Sequence, residues 1–433
     1  MKFEIPRLVL SFHFIVILFF AQSSFSAPLS VKRIGLKQGL SQSTVYAIAQ
    51  DLQGFIWFGT ADGIDIYDGY KFRHLRHDPA DPSTLSNNYV YSLLVATDGG
   101  IWIGTLGGGL NRYDPVARSF EVFRAWEDDD TSLLSDDVYS LFESKNGQIW
   151  IGTRSGVSVF DPKQRSLRHF VNDPENTHSI GSGTIRAITQ TSDGSLWFGS
   201  ATSGVSRLGV GSQQFKHLTQ QPDNALSLSS NAINALHQDK KGNLWIATES
   251  GGLNKLGLEH IDLTKGNLNS HPVSRYQPTS SNRINPSGLN DQEVTAIFED
   301  GQGSLWLGTW SGGLNYFDPA SEKFSHYLSS PANPETLSSD TIISLFEDHS
   351  GMLWAGSFDN GVNVIAYQGR DFDHYTHDPV LRNGIQNKTV WSFAEDSQRQ
   401  IWVGTKKGLN RFEPQSDLFT SYLGEDNCVG VTD

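Results

Sequence analysis

The chain has 433 residues, a formal net charge of −14, 18% charged residues and 11% aromatics. This is the composition of a folded protein rather than a disordered one. The acidic excess, with no Lys/Arg run to reverse it locally, excludes nucleic acid or an anionic membrane as main partner, since both need a basic footprint. A lone cysteine, Cys428, leaves no intrachain disulfide and no cysteine-based zinc site.

The first element is residues 1–26. Lys2 and Arg7 give a positive start, Leu8–Phe20 is a short apolar run, and Ser24 and Ser26 supply small side chains at −3 and −1 of a cleavage site. The pattern predicts a secretory signal peptide. The run is well short of the ~20 apolar residues that span a bilayer, and no later stretch is apolar enough. The mature chain is therefore expected to be exported, to the periplasm in a Gram-negative cell.

From there one unit recurs eight times, centred on Trp57, Trp102, Trp150, Trp197, Trp245, Trp306, Trp354 and Trp402. Successive spacings are 45, 48, 47, 48, 61, 48 and 48 residues. A period in the forties with strand-like content predicts an all-β fold, a β-propeller of four-stranded blades. Eight repeats make either a seven-bladed ring plus one extra blade or a single eight-bladed ring. The repeats span 27–423, and 424–433 form an irregular tail.

Counting from each Trp, positions −12 to −9 read V-Y-A-I, V-Y-S-L, V-Y-S-L, I-R-A-I, I-N-A-L, V-T-A-I, I-I-S-L and V-W-S-F. These predict the innermost strand. A turn follows, often opened by Asp at −6 and carrying Gly at −3 in all copies but the last, which has Arg399. The Trp strand ends in Gly-Thr or a near variant. A Gly-rich turn, a third strand such as Leu314–Phe317, a D-P or D-G turn and an outer strand such as Phe324–Tyr327 complete the unit.

Position −10 is Ala47, Ser92, Ser140, Ala187, Ala235, Ala296, Ser344 and Ser392, never anything larger than Ser. Innermost strands converging on an axis leave least room, and extra volume there costs ~1–3 kcal/mol per site. The Trp, one strand outward, is expected to fill the space between blades, burying ~150–250 Å². The 61-residue step holds an insertion of 61 − 48 = 13 residues within Gly257–Gly288. An extended loop on blade five is predicted there.

The unit G-F-I-W-F-G-T-A-D-G-I-D-I-Y-D, after G-L-S-Q-S-T-V in the first copy, resembles the two-component-regulator propeller repeat. The likeness runs through about 31–423. It implies the periplasmic sensor region of a membrane-bound signalling protein. In that family the propeller is followed by more repeats, an immunoglobulin-like domain, a membrane helix and a histidine kinase, hybrid kinase or diguanylate cyclase output. Several members are similar to oligosaccharide sensors. Since the sequence stops after the eighth repeat, a fragment or truncated product is expected, and a homodimer would form through a C-terminal region that it lacks.

A ligand is expected at the end where the inner strand begins and the Trp strand ends. There, position −11 reads Tyr46, Tyr91, Tyr139, Arg186, Asn234, Thr295, Ile343 and Trp391. Position +4 reads Ala61, Leu106, Arg154, Ala201, Glu249, Trp310, Phe358 and Lys406. Aromatic faces mixed with hydrogen-bonding and charged tips are what a pre-formed pocket needs. The candidate ligand-binding residues are Tyr46, Tyr91, Tyr139, Arg154, Arg186, Glu249, Trp310, Phe358 and Trp391, with ordinary variable surface as the competing reading. The ligand would be a small molecule such as an oligosaccharide.

There is no nucleophile elbow, phosphate-binding glycine loop or H-E-x-x-H motif, so no catalytic residue, cofactor or metal is assigned. The pairs His74/His77 and His374/His377 have i, i+3 spacing, which points to opposite faces of a strand. Asp128–Asp130 reads as a solvated acidic loop. The alternatives to a non-enzymatic sensor are a glycan lyase or glycosidase, with an Asp/Glu pair, and a protein-binding scaffold.

Overall fold

A computed structural model describes residues 29–259, 267–278, 288–366, 384–398, 400–413 and 418–422. Residues 1–26, expected above to be a signal peptide, His374, His377, Arg399, Cys428 and the tail lie outside them. Eight four-stranded antiparallel sheets account for the described strands. The chain divides between Tyr367 and Gln368 into two compact units, with seven sheets in the first and one in the second.

In the first unit the inner strands are Val45–Gln50, Val90–Val95, Val138–Glu143, Ile185–Gln190, Ile233–Gln238, Val294–Glu299 and Ile342–Glu347, which define blades one to seven. Each packs on the inner strand of the next blade, and blade seven's packs back on blade one's. Within the first unit the inner strands thus form a closed cycle of seven. Blade seven takes its outer strand from the start of the chain, where Ser30–Ile34 pairs antiparallel with Val362–Ala366. The pairing covers an edge that would otherwise be open.

The expected crowding is present. Position −12, from Val45 to Ile342, is 0% exposed in all seven blades. Six tryptophans of this unit are at most 2% exposed and Trp354 is 6% exposed. Crowding at −10 has a partner that explains the Gly of W-x-G-T. A Cβ on Gly104 would lie 2.2 Å from Ser92 Oγ and 2.5 Å from Val138 Cγ1 of the next blade. On Gly152 it would meet Ser140 Oγ at 2.1 Å and the Ile185 carbonyl oxygen of the next blade at 2.6 Å.

The Asp at −6 does more than open the turn. Asp51 Oδ1 accepts the amides of Gln53 and Phe55, while Oδ2 accepts the Trp57 indole N–H at 2.8 Å. In blades two, five and seven the L-S segment ahead of the inner strand is held by a buried third-strand asparagine. Asn111, Asn254 and Asn363 accept the amides of Ser86, Ser229 and Ser338 at 2.9, 3.0 and 2.7 Å. The preceding Leu85, Leu228 and Leu337 are at most 1% exposed. These anchors fix the loop that delivers the inner strand to its blade.

Of the insertion expected as an extended loop on blade five, residues 260–266 and 279–287 lie outside the described residues, and the described part is 267–278. It contains a 3₁₀ turn, Leu268–Ser270, and the blade's outer strand, Val273–Tyr276. Leu268 is buried in the cluster around Trp197 and Leu218 of blade four. Asn269 Oδ1 accepts the Thr219 amide at 2.8 Å.

The second unit is a sheet of Val390–Glu395, Ile401–Thr405, Gly408–Glu413 and Leu418–Tyr422. Its small core is Ile385, Val403, Phe412 and Phe419. Trp402 is only half-buried here, and the inner strand is exposed along its length. The nearest atoms a Cβ on Gly404 would meet are those of Ser392 in the same sheet.

Candidate functional site

Pairing between the inner strand and the Trp strand skips one residue in every blade. In blade one Val45 faces Thr60 and Ala47 faces Gly59, leaving Tyr46 between them as a β-bulge. The same shift occurs in the other six blades of the unit. A bulge re-aims the side chain of its extra residue. Here all seven −11 side chains, Tyr46, Tyr91, Tyr139, Arg186, Asn234, Thr295 and Ile343, line one cavity of about 640 Å³. Tyr89, Glu249, Glu293, Trp310 and Phe358 complete its lining.

The +4 residues reach the same end because their amides bond to the carbonyl at −13. Glu249 N donates to Ala232 O at 2.9 Å, Trp310 N to Glu293 O at 3.2 Å and Phe358 N to Thr341 O at 3.1 Å.

The wall has three sectors. Across blades one to three it is aromatic. Tyr46 stacks on Tyr89 and Tyr91 with centroids 5.2 and 5.1 Å apart, and Tyr91 meets Tyr139 edge-on at 5.1 Å. The Tyr46 and Tyr89 hydroxyls share a hydrogen bond. Burial, and then that bond, push the Tyr46 phenol above its ordinary value, and burial does the same to Tyr91. Both remain neutral phenols at physiological pH.

Across blades four to six the wall is charged. Arg186 Nη1 donates to Glu249 Oε2 at 2.7 Å and Asn234 Oδ1 at 3.0 Å. Asn234 Nδ2 donates to the Val294 carbonyl at 3.1 Å, which orients the amide. Burial, then the charges of Glu249 and Asp291, raise the Glu293 carboxyl above the usual carboxylate range. Between blades six and seven Trp310 and Phe358 lie 5.2 Å apart, 42% and 40% exposed. Their carbonyls accept from Thr341 Oγ1 at 2.7 Å and Thr44 Oγ1 at 2.6 Å.

Of the nine residues singled out in the sequence, Tyr46, Tyr91, Tyr139, Arg186, Glu249, Trp310 and Phe358 meet in this cavity. Arg154 does not line it. Its guanidinium lies 3.2 Å from Asp137, the −13 residue of its own blade, and its side chain is 67% exposed. Trp391 belongs to the second unit and is 74% exposed. Tyr89 and Glu293 were missed. Both stand at −13, and the signal for them is the backbone bond that sets each +4 residue beside a −13 residue. His74 Nδ1 meets the buried Asp65, and His77 Nδ1 donates to the Leu85 carbonyl at 2.6 Å. Both are tied up within blade one. Among the described residues no group of three or more His, Cys, Asp or Glu is placed to hold a metal ion.

Six segments, residues 84–107, 132–155, 179–202, 227–250, 288–311 and 384–407, match the family model described as two component regulator propeller. The chain carries repeats of that family. Over 78 residues it is 40% identical to Histidine kinase P4 of Formosa agariphila, a match covering 18% of this chain and 6% of the kinase. Among solved structures it is similar to the extracellular domain of the putative hybrid two component system BT3049 from B. thetaiotaomicron. The TM-score is 0.65 at 24% identity, over 92% of this chain and 49% of that one.

A catalytically inactive virginiamycin B lyase from Staphylococcus aureus matches with a TM-score of 0.56 at 14% identity, over 78% of this chain and 99% of the lyase. PorZ, a surface component of the type-IX secretion system of Porphyromonas gingivalis, matches with a TM-score of 0.58 at 15% identity, over 89% and 59%. At such identities the structural likenesses show the propeller fold alone. The chain spans about half the length of the extracellular domain it matches. Among the described residues no helix is long and apolar enough to cross a membrane.

Proposed function

We propose that this chain is the exported, ligand-binding sensor part of a signal-transduction protein, and that it takes a small molecule in the cavity of the first unit. One observation carries the reading. Seven different blades send one side chain each into a single cavity, from a position the bulge fixes, and those side chains differ in kind. A packing role would repeat one type, as position −10 does with Ala and Ser. A wall of three aromatic residues, then Arg, Asn, Thr and Ile, is the mixture a specific pocket needs.

Signalling is supported by the regulator repeats and by the segment shared with a histidine kinase. Export and a periplasmic location are supported by the N-terminal charge and hydropathy pattern. An oligosaccharide suits the lining, since tyrosine faces stack on sugar C–H surfaces while Arg186, Asn234 and Glu249 reach hydroxyls. A non-catalytic role agrees with the regulators matched by sequence, whereas the lyase likeness extends to fold only. Thermal shift and calorimetry against an oligosaccharide panel, with chromatography for products, test the reading. Binding without turnover is the expected result; product formation would replace the sensor with an enzyme.

A further inference from the structure

The charges in the cavity do not cancel. Its lining carries one guanidinium, Arg186, and two carboxylates, Glu249 and Glu293. Arg186 is already committed to Glu249 and Asn234. The Glu293 carboxylate makes no hydrogen bond or ion pair among the described residues, although its amide and carbonyl are both bonded. The remaining wall is Tyr46, Tyr89, Tyr91, Tyr139, Trp310 and Phe358, and aromatic faces attract cations and repel anions.

We propose that the molecule sensed in this cavity bears a cationic group, a protonated amine or quaternary ammonium, seated against Glu293 with its ring or apolar body on the tyrosines. The inference rests on the ligand-binding reading above and adds the charge of the ligand to it. An anionic ligand would meet two carboxylates, six aromatic side chains and a guanidinium with its bonds already made. A neutral one would enclose the Glu293 carboxylate with no hydrogen-bond partner and with only the already committed Arg186 as counter-charge, and burying a charge so poorly paired is costly. A cation relieves both problems at once. Burial raises the Glu293 carboxyl most, and the charges of Glu249 and Asp291 add to it; that local negative field would draw a cation in.

Calorimetry on the whole chain with two matched probe sets tests this. The first set is a glucosamine tetramer, an N-acetylglucosamine tetramer and a galacturonate tetramer. The second is phenethylamine, 2-phenylethanol and 3-phenylpropionate. In at least one set the amine should bind about tenfold more tightly than its neutral counterpart, with no binding of the acid. Glu293→Gln should reduce that preference to within about threefold while leaving the melting temperature unchanged. Neutral or acidic members binding as well as the amine would overturn the charge assignment and leave the sensor reading standing. A preference that survives Glu293→Gln would overturn it equally. Silence across both sets would overturn the sensor reading and the assignment together.

Discussion

Ser344 of blade seven donates its hydroxyl hydrogen to the main-chain carbonyl of Val45 in blade one, 2.9 Å away and 299 residues back along the chain. Ser140 repeats the bond to Ile185 at 3.0 Å between blades three and four. At Ser344 the −10 side chain thus answers two demands. It stands where a Cβ added to the facing Gly356 would be 2.2 Å from its hydroxyl, and it has a carbonyl of the next blade to bond. Ser344→Ala should lose one hydrogen bond, about 1 kcal/mol. Ser344→Val also forces in volume, so it should cost about 1–3 kcal/mol more. Urea unfolding of the two variants separates the effects, and a valine as benign as alanine would sink the account of crowding at the seam.

The same seam depends on Ser30–Ile34. Ile34 is 2% exposed, and Arg33 donates to the carbonyls of Thr336 and Leu337 at 2.8 and 2.9 Å. A chain beginning at Gly35 loses these and leaves Val362–Ala366 as an open edge. The burial of Ile34 and part of Val31 alone amounts to about 3 kcal/mol. A clear drop in melting temperature is expected, with new protease cuts in blade seven. An unchanged melting temperature would show that the strand contributes nothing to closure.

Asp239 binds three donors of blade five: Asn243 N at 2.7 Å, Asn243 Nδ2 at 2.8 Å and the Trp245 indole at 2.8 Å. Blades three and four do the indole job with hydroxyls, Ser144 at 3.2 Å and Thr191 at 3.0 Å. Asp239→Ala should therefore cost about 2–3 kcal/mol, with Asp239→Ser between it and the parent. Thermal denaturation gives the order, and a serine variant no better than alanine would mean the indole bond is not what the aspartate supplies.

The turns between third and outer strands predict an acid limb. The amides of Ala117 and Val116 hold Asp114 below the ordinary carboxylate value, and the Gln164 amide, the Gln148 side chain and the Lys163 amide do so for Asp161. Both pKa values are lower folded than unfolded. Their contribution is therefore complete above the unfolded value of 3.8 and is lost as pH falls through the depressed values. Asp114→Asn with Asp161→Asn should be less stable than the parent at neutral pH, and the gap should close as pH falls below the carboxylate range. Denaturant midpoints across pH check this; a gap that widened in acid would reverse the sign.

Much of this was legible in the residues because it repeats. Eight copies expose what packing demands: Ala or Ser at −10, Trp at the centre of the unit, and Asp at −6 in five of them. Position −11 could be read as the variable slot that faces a ligand, and all seven of its residues in the first unit do line the cavity. What could not be read was the cause, since a bulge is a matter of register between strands and leaves no residue signature here. Period-two alternation alone would have turned Tyr46 to the same face as Ile48. Nor does the sequence say that Leu268 is buried against blade four, because burial depends on a cavity in a neighbouring blade.

Arg154 and Glu249 occupy the same +4 slot, yet only Glu249 lines the cavity. The difference lies at −13, where blade three has Asp137 to hold Arg154 at 3.2 Å and blade five has Ala232, leaving Glu249 to bond Arg186 at 2.7 Å. A pair as exposed as Arg154–Asp137 contributes little to stability. Arg154→Ala should then leave both folding and affinity for the tightest probe of the two sets within about threefold of the parent. Tyr91→Ala removes the ring that touches both Tyr46 and Tyr139 and should lower that affinity by about tenfold or more, since such ring contacts are worth ~0.5–1.5 kcal/mol beyond the area they bury. Calorimetry on the two variants, each with a melting curve as a folding control, decides the matter. If Arg154→Ala abolished binding while Tyr91→Ala spared it, the ligand would sit outside the cavity of the −11 residues, on the exposed rim of blade three.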